Sequence, residues 1–368
     1  MSCIEMGGNF CLTQNQIESF GQSPVPYSSD FQGWDDIVFT HSGRSSITTA
    51  VHHLGLEKTV VLLPSFSCHS ITDAFSSCDC RVRYYPINRD NLSVNLEGLF
   101  RLIDEDGPAI VYTCPLFGFD TLSSLRKHYK NIQGRGIVIM EDVTHSLLSG
   151  FNPPKADIVV CSLRKWLEIP DGGFVWGLKD FDIERFYVEH QEETPVVNNF
   201  VNASKLKLDY FKTGNEELKN EFLPLFYKNN DLFNDCSKVC RMSSFSHEIL
   251  LQADFEKMIQ RRRANYEYLL AHINNPLVEI IFDELPHDVV PLYMQINVRN
   301  EQRTPLQRAL VKERLYCPVI WPTPEQIISA CSKQEIHFHE EMLSLVIDQR
   351  YDIDDMERLV WNINNFTF

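Results

Sequence analysis

The sequence predicts an α/β protein: a mostly parallel, seven-stranded sheet between helices, followed by a small α+β unit. From about residue 34 to residue 177, short β-branched runs alternate with helical stretches, which is the pattern of a parallel sheet covered by helices. Several runs are apolar on both faces, as central parallel strands are. The chain has 368 residues, more than a single core usually supports, so a second unit is expected.

Taken in order, seven runs are predicted to form the strands of the main sheet: 37–40, 59–64, 81–87, 109–115, 136–142, 156–161 and 173–177. Four helical stretches lie between them, each starting near a Ser, Thr or Asn that can cap a helix: 44–56, 69–77, 95–106 and 121–132. The turn sequences DGP, QGRG and FNPP separate these elements.

Beyond about residue 181 the sequence becomes highly charged and helical, with apolar residues recurring every three or four positions in 204–230 and 246–273. We expect a long helix there to bridge two lobes. The carboxyl-terminal part predicts strands at 277–282, 291–298 and 315–321, with helices at 304–313 and 352–364. The expected division is an N-terminal arm (1–33), a large domain (34–245), and a bridging helix with a small α+β domain (246–368).

The composition argues against several classes of protein. With 50 acidic and 34 basic residues the formal net charge is −16, which disfavours binding to nucleic acid or to anionic lipid. The 11 cysteines, an odd number without paired C-x-x-C motifs, indicate free thiols in a reducing compartment and no metal site. No segment resembles a signal peptide or approaches the ~20 apolar residues of a membrane span, so we expect a cytoplasmic protein.

Ligands of an open parallel sheet bind at the carboxyl ends of its strands, so the residues that follow each strand are the candidate site. The turn HSGRSSI, residues 41–47, joins a strand to a helix. The free N–H groups and dipole of a helix start can hold a phosphate. Ser42, Gly43, Arg44 and Ser45 are therefore a candidate phosphate cradle, although a capped helix start is also common for stability alone.

Two further strand ends carry ionisable residues. Asp142 ends the strand GIVIMED, with His145 three residues later, and a carboxylate there needs a cationic partner such as a protonated cofactor ring, an arginine or a metal. Lys165 follows the next strand, three residues after Ser162. A partly desolvated lysine has a lowered pKa and can form a Schiff base. The alternatives are a capped strand end with an incidental histidine, and a solvated surface lysine.

Together and in this order, an anion cradle, an acid and a lysine are the parts of a pyridoxal-phosphate site. The chain resembles fold-type I pyridoxal-phosphate enzymes, specifically a divergent branch of the DegT/StrS-like aminotransferases, in the stretches HSGRSSI, LPSFSCHSITDAF, EDVTHS and SLRKWLEIPDGGFVWG. A weaker resemblance continues through RRRANYEYL, LYCPVIWP and SLVIDQRYDIDDMERL. The large domain is therefore expected to have the fold of the pyridoxal-phosphate transferases.

The resemblance implies that Lys165 and Asp142 are the catalytic residues, with Lys165 carrying the cofactor and Asp142 facing its pyridine nitrogen. It places His145 near the ring oxygen of the cofactor. Ser162 and the turn formed by residues 43–45 are implied to hold the phosphate.

Two positions depart from the family pattern. The residue that stacks on the cofactor ring falls on Cys68, and Phe66 and His69 are the nearest alternatives. Arg44 replaces a small polar residue, so that it either reinforces phosphate binding or points into solvent.

The implied activity is transfer of an amino group from an amino acid, with glutamate the expected donor, to a keto-sugar nucleotide in surface-polysaccharide or related sugar biosynthesis. A homodimer is implied, because in the family two subunits share the site. Two alternatives remain: a dehydratase or lyase that uses the same cofactor, and a binding protein that has kept the fold without the chemistry. The presence of Lys165 favours an enzyme.

Overall fold

The computed structural model describes residues 4–21, 31, 34–150, 155–190, 195–235, 239–322 and 338–367. The strands in these residues are β1 (Met6–Gly7), β2 (Val38–Thr40), β3 (Val60–Pro64), β4 (Arg81–Tyr85), β5 (Ile110–Thr113), β6 (Val138–Asp142), β7 (Ile158–Ser162), β8 (Gly173–Trp176), β9 (Val278–Ile280), β10 (Met294–Val298), β11 (Leu315–Tyr316) and β12 (Met342–Leu345). The predicted FNPP turn and parts of the N-terminal arm lie outside the described residues.

The helices of the described residues are α1 (Gln14–Ser19), α2 (Gly43–Leu54), α3 (His69–Ser77), α4 (Leu96–Asp106), α5 (Ser123–Arg126), α6 (Tyr129–Gln133), α7 (Ile183–Glu189), α8 (Pro195–Thr213), α9 (Glu216–Leu232), α10 (Ser244–Leu251), α11 (Phe255–His272), α12 (Arg303–Lys312) and α13 (Ile353–Asn364). In this part of the chain, none of the helices combines the length and apolar character needed to cross a bilayer. The eight cysteines within it carry free thiols.

Seven strands form the main sheet in the order β2-β8-β7-β6-β5-β3-β4. The strands β7, β6, β5, β3 and β4 are parallel to one another. Strand β8 runs antiparallel to both of its neighbours, β2 and β7. All seven predicted strands are present, and the predicted fold class is confirmed. The parallel pairing of β6 with β7 sets Asp142 opposite Val160, which brings the carboxyl ends of these two strands together.

Both faces of the main sheet are buried, and its central strands are mainly apolar up to their carboxyl ends, where Thr113, Asp142 and Ser162 stand. Met140 and Val160 pack on one face, whereas Ile139 and Val159 point to the other, following the two-residue period of a strand. Helix α2 covers part of the sheet beside β7 and β8 and begins at Ser42, whose hydroxyl oxygen accepts the Ser45 N–H at 3.2 Å. This cap fixes the start of α2 beside the end of β7.

The carboxyl-terminal part contains a three-stranded antiparallel sheet in the order β12-β10-β9. The sequence predicts 315–321 as a strand of this unit, but the structure has the two-residue strand β11 there, paired parallel to β1. Strand β12 is not predicted, since it has only four residues and its partner β10 lies far away in the sequence. The N-terminal segment is thus attached to the small lobe.

Three predicted helical stretches are each divided in two. The stretch 204–230 is interrupted at Gly214, whose φ of +69° ends α8 before α9 begins. The stretch 246–273 gives α10 and α11, because the Asp254 carboxylate accepts the Lys257 N–H at 3.0 Å and starts a new helix. The stretch 121–132 likewise gives α5 and α6.

The N-terminal segment is held by a buried charge cluster around Glu5. One carboxylate oxygen of Glu5 lies 2.5 Å from the Lys219 ammonium, and the other lies 3.8 Å from that of Lys207. Glu5 and Lys207 are almost fully buried. Because the segment that follows Glu5 lines the main cavity described below, this cluster supports one wall of that cavity.

We predict that Glu5→Gln lowers the free energy of unfolding by roughly 3–5 kcal/mol, since it leaves the buried Lys207 ammonium without its counter-charge. Chemical denaturation measures the change. The control Glu18→Gln removes the same charge from an exposed site and should shift stability by less than about 0.5 kcal/mol. Equal stability of the two variants would show that the cluster does not hold the segment.

Candidate active site

A cavity of about 720 Å³ lies at the carboxyl ends of β6 and β7. Eight of the residues predicted for the site line it: Ser42, Gly43, Arg44, Cys68, Asp142, His145, Ser162 and Lys165. Three others, Ser45, Phe66 and His69, are not among its lining residues. The sheet thus brings residues from four separate stretches of sequence around one space, as the strand-end rule predicts.

Lys165 ends a 3₁₀ turn, Leu163–Lys165, that directly follows β7. Its side chain lines the cavity and is exposed within it. Desolvation lowers the pKa of Lys165; the charges of Arg164 and Arg44 lower it further, whereas Cys68 and Asp142 act in the opposite direction. A lowered pKa increases the fraction of neutral amine, which is the nucleophilic form.

Asp142 is held in a fixed orientation at the end of β6. One carboxylate oxygen accepts the Thr144 N–H at 2.7 Å, and the other accepts a short hydrogen bond from the Tyr112 hydroxyl of the neighbouring strand β5. Desolvation raises the pKa of Asp142, and the hydrogen bonds from Thr144 and Tyr112 oppose this shift. The sequence analysis did not identify Tyr112, because its side chain reaches Asp142 only through the pairing of β5 with β6.

His145 is buried and accepts a hydrogen bond through one ring nitrogen. Its Nδ1 accepts the backbone N–H of Phe117 at 3.3 Å, which leaves the ring proton on Nε2. The imidazole stacks on Trp321, with ring centroids 5.1 Å apart and planes inclined by 20°. Desolvation, together with the charge of Lys165, lowers the pKa of His145 to about 3.

The candidate phosphate cradle is the start of α2 beside the end of β7. A Cβ atom on Gly43 would lie 3.0 Å from the Cβ of Ser162, so the close approach of helix to strand favours glycine. Ser45 is engaged elsewhere, because its hydroxyl bonds to Nδ1 of His41 at 2.8 Å and its N–H bonds to Ser42. The groups that line the cavity here are Ser42, Gly43, Arg44 and Ser162.

The three candidates for a stacking residue occupy different environments. Cys68 is half-buried, lines the cavity and accepts a hydrogen bond from the Ser70 hydroxyl at 3.0 Å. Phe66 is buried against Trp321, with ring centroids 5.2 Å apart. His69 is exposed and lies 2.7 Å from the Asp73 carboxylate.

Trp321 is the residue that the sequence analysis missed in this region. It lines the cavity and contacts the rings of both Phe66 and His145. The only available signal was its place in LYCPVIWP, a stretch quoted for the resemblance but given no role.

Two further arginines line the cavity, and protein oxygens already accept hydrogen bonds from all or most of their N–H groups. Arg350 forms a bidentate ion pair with Asp348, with both N···O distances at 2.8 Å, and lies over the ring of Phe10. Arg262 lies over the indole of Trp166 and donates to the Leu292 carbonyl at 3.0 Å. These guanidiniums join the N-terminal segment and the small lobe to the cavity wall.

No model of a protein family matches this sequence, and no curated protein matches it. Several solved structures are similar to this chain. The putative sugar aminotransferase Spr1654 from Streptococcus pneumoniae in its PLP-form is 11% identical, with a TM-score of 0.69, and the match covers 98% of each chain. The sugar aminotransferase CalS13 from Micromonospora echinospora is 13% identical, with a TM-score of 0.66 and full coverage of both chains, 100% each.

A DegT DnrJ EryC1 StrS aminotransferase from Brucella abortus is 14% identical, with a TM-score of 0.62, over 97% of this chain and 91% of that one. These similarities show that the chain has the fold of the DegT/StrS-like aminotransferases. The fold expected from the sequence resemblance is therefore confirmed, with both lobes included.

We predict that His145 makes stability depend on pH between about 6.5 and 3. In this window the unfolded imidazole binds a proton that the folded one excludes, so the free energy of unfolding falls as the pH drops. The contribution of one such group is at most about 1.4 kcal/mol per pH unit.

Denaturation of the wild type and of His145→Gln at pH 5 and pH 7 measures this contribution, because glutamine keeps a hydrogen-bonding side chain but does not titrate. The loss of stability on acidification should be smaller in the variant. An identical loss in both proteins would mean that the imidazole is protonated in the folded state.

Proposed function

We propose that this chain is a pyridoxal-phosphate-dependent aminotransferase. The observation that carries the proposal is the placement of Lys165 and Asp142 at the ends of adjacent parallel strands, both lining one cavity that also includes a helix start. Lys165 has the lowered pKa that a nucleophilic amine needs. The structural similarity to sugar aminotransferases supports the same conclusion.

The groups around the cavity fit the cofactor. Lys165 would carry it, the Asp142 carboxylate would hold the proton of its pyridine nitrogen, and the Nε2–H of His145 would face its ring oxygen. The donors at the start of α2 and the hydroxyl of Ser162 would hold its phosphate. When bound, pyridoxal phosphate supplies an electron sink and a temporary carrier for the amino group.

The chain's own residues perform the remaining steps. When released, the Lys165 Nζ can accept a proton from the substrate carbon and return it, acting as a general base and then a general acid. Asp142 would place its carboxylate opposite the ring nitrogen, and the hydrogen bonds that it accepts from Tyr112 and Thr144 hold it in one orientation. Because its pKa is lowered to about 3, His145 would donate as a neutral imidazole and add no charge near Lys165.

We further propose an amino acid, glutamate in the first instance, as the amino donor and a keto-sugar nucleotide as the acceptor, for surface-polysaccharide or related sugar biosynthesis. The titles of the similar structures, which name sugar aminotransferases, support this choice. The cavity also extends past the sheet to Asn9, Gln307 and Tyr316, which gives an acceptor polar contacts away from Lys165.

The organisation we propose is a cytoplasmic homodimer of chains with an N-terminal arm (1–33), a large domain (34–245) and a small domain with its bridging helix (246–368). The separation of the two main sheets, one within residues 38–176 and one within 278–345, supports these limits.

We predict that the purified protein with pyridoxal phosphate is yellow, and that borohydride reduction attaches the cofactor to Lys165. Lys165→Ala should lose the attachment and all transaminase activity, whereas Lys155→Ala, on an exposed lysine, should keep both. Peptide mass spectrometry after reduction locates the modified lysine. A colourless wild type that takes up no cofactor would refute the proposal.

Loss of the yellow absorbance on addition of glutamate or another amino acid would establish transamination. Retained absorbance with every donor would favour the dehydratase or lyase alternative.

We predict that Asp142→Asn lowers kcat by at least 100-fold while the denaturation midpoint changes little, because the amide keeps the size of the side chain but removes the charge that holds the ring proton. Steady-state kinetics and chemical denaturation on the same preparation test this. Full activity in Asp142→Asn would make Asp142 a structural residue only.

A further inference from the structure

Arg164, the residue before Lys165, lines the cavity with its hydrogen-bond donors unused. Its guanidinium lies 3.9 Å from the centroid of the Phe233 ring. Within the described part of the chain it makes no hydrogen bond and no ion pair at contact distance. A guanidinium has five N–H donors, which are rarely left unpaired in a partly buried site.

The nearest counter-charge does not satisfy these donors. Asp171 attracts Arg164 electrostatically, but its oxygens accept from the Ser243 N–H at 2.8 Å, from the Ser243 hydroxyl at 2.6 Å and from the Ser246 hydroxyl. Desolvation lowers the pKa of Arg164 to about 10, so it stays positively charged at neutral pH.

Arg44 is held close to Arg164 by the same residue, Phe233. Its Nη1 donates to the Phe233 carbonyl, while its Nε is buried and has no partner in the described structure. Phe233, just after α9, therefore contacts both guanidiniums, one through its ring and one through its carbonyl oxygen. Arg262 and Arg350 differ, because carbonyl and carboxylate oxygens already occupy their donors.

We infer that Arg164 and Arg44 together bind the phosphate of the cofactor, with Phe233 as the residue that positions both guanidiniums. This inference rests on the proposed function. Two adjacent cations with free donors beside the start of α2 match a phosphate dianion in charge, and guanidinium forks match it in geometry. Bound phosphate would also offset the repulsion that these arginines exert on Lys165.

The test compares pyridoxal phosphate with pyridoxal, which lacks the phosphate, in a Lys165→Ala background where binding is non-covalent. Arg164→Gln should raise the Kd of pyridoxal phosphate roughly 10- to 100-fold. The Kd of pyridoxal should change less than about twofold, and Arg164→Lys should recover part of the affinity because it restores the charge without the fork. Arg101→Gln, which removes an equal charge from an exposed helix position, is the matched control.

Equal weakening of both ligands, or no weakening of either, would overturn the inference. Thermal unfolding of each variant shows whether a loss of affinity comes from misfolding. If Arg164→Gln is misfolded, the affinity of Arg164→Lys for pyridoxal phosphate decides whether the inference holds.

Inorganic phosphate, titrated calorimetrically into the Lys165→Ala protein without cofactor, separates this inference from the proposed function. If the chain binds no pyridoxal compound, the proposed function fails, but weaker phosphate binding in Arg164→Gln than in Arg101→Gln would still support an anion site. Equal phosphate binding in both variants refutes it. Loss of glutamate binding with phosphate binding retained would instead indicate a carboxylate site and overturn the assignment.

Discussion

The candidate site depends on the parallel pairing of β6 with β7. Because of this pairing, the carboxylate at the end of β6 and the lysine-bearing turn after β7 lie at the same edge of the sheet. The register that places Asp142 beside Val160 is fixed by the apolar side chains on both faces of these strands. A slip of one residue would move each buried side chain to the opposite face and turn Asp142 away from the cavity. The packing of the core therefore also fixes the position of the candidate catalytic groups.

The electrostatics of the cavity follow from this geometry. Arg44, Arg164 and Lys165 come together in the cavity, although the chain as a whole carries a formal net charge of −16. Desolvation and the charges of the two arginines lower the pKa of Lys165, so the cations that we propose to bind an anion also increase the fraction of neutral amine. The acidic surface does not prevent such a ligand from binding, because the donors inside the cavity are local.

The sequence alone predicted the features that are encoded within one stretch. It did not predict those that form by contacts between residues distant in the sequence. All seven strands of the main sheet, and the facing of Asp142 and Lys165, follow from hydrophobic runs and the strand-end rule. Tyr112, Trp321 and Phe233 could not be placed, since each reaches the site from another element, and only Trp321 lies in a stretch that carries the resemblance. The pairing of β11 with β1 escaped prediction for the same reason: it joins opposite ends of the chain.

These two origins divide the cavity into parts with different roles. The strand ends supply a lysine, a carboxylate and a helix start, which are the groups that the proposed cofactor would need whatever the substrate. The remaining wall comes from residues 7–10, Phe233 and Tyr316, outside the main sheet. Because one fold can host many specificities through such peripheral segments, we expect substrate choice to depend on this wall. The attachment of β1 to β11 and the Glu5 cluster therefore hold the N-terminal part of this wall in place.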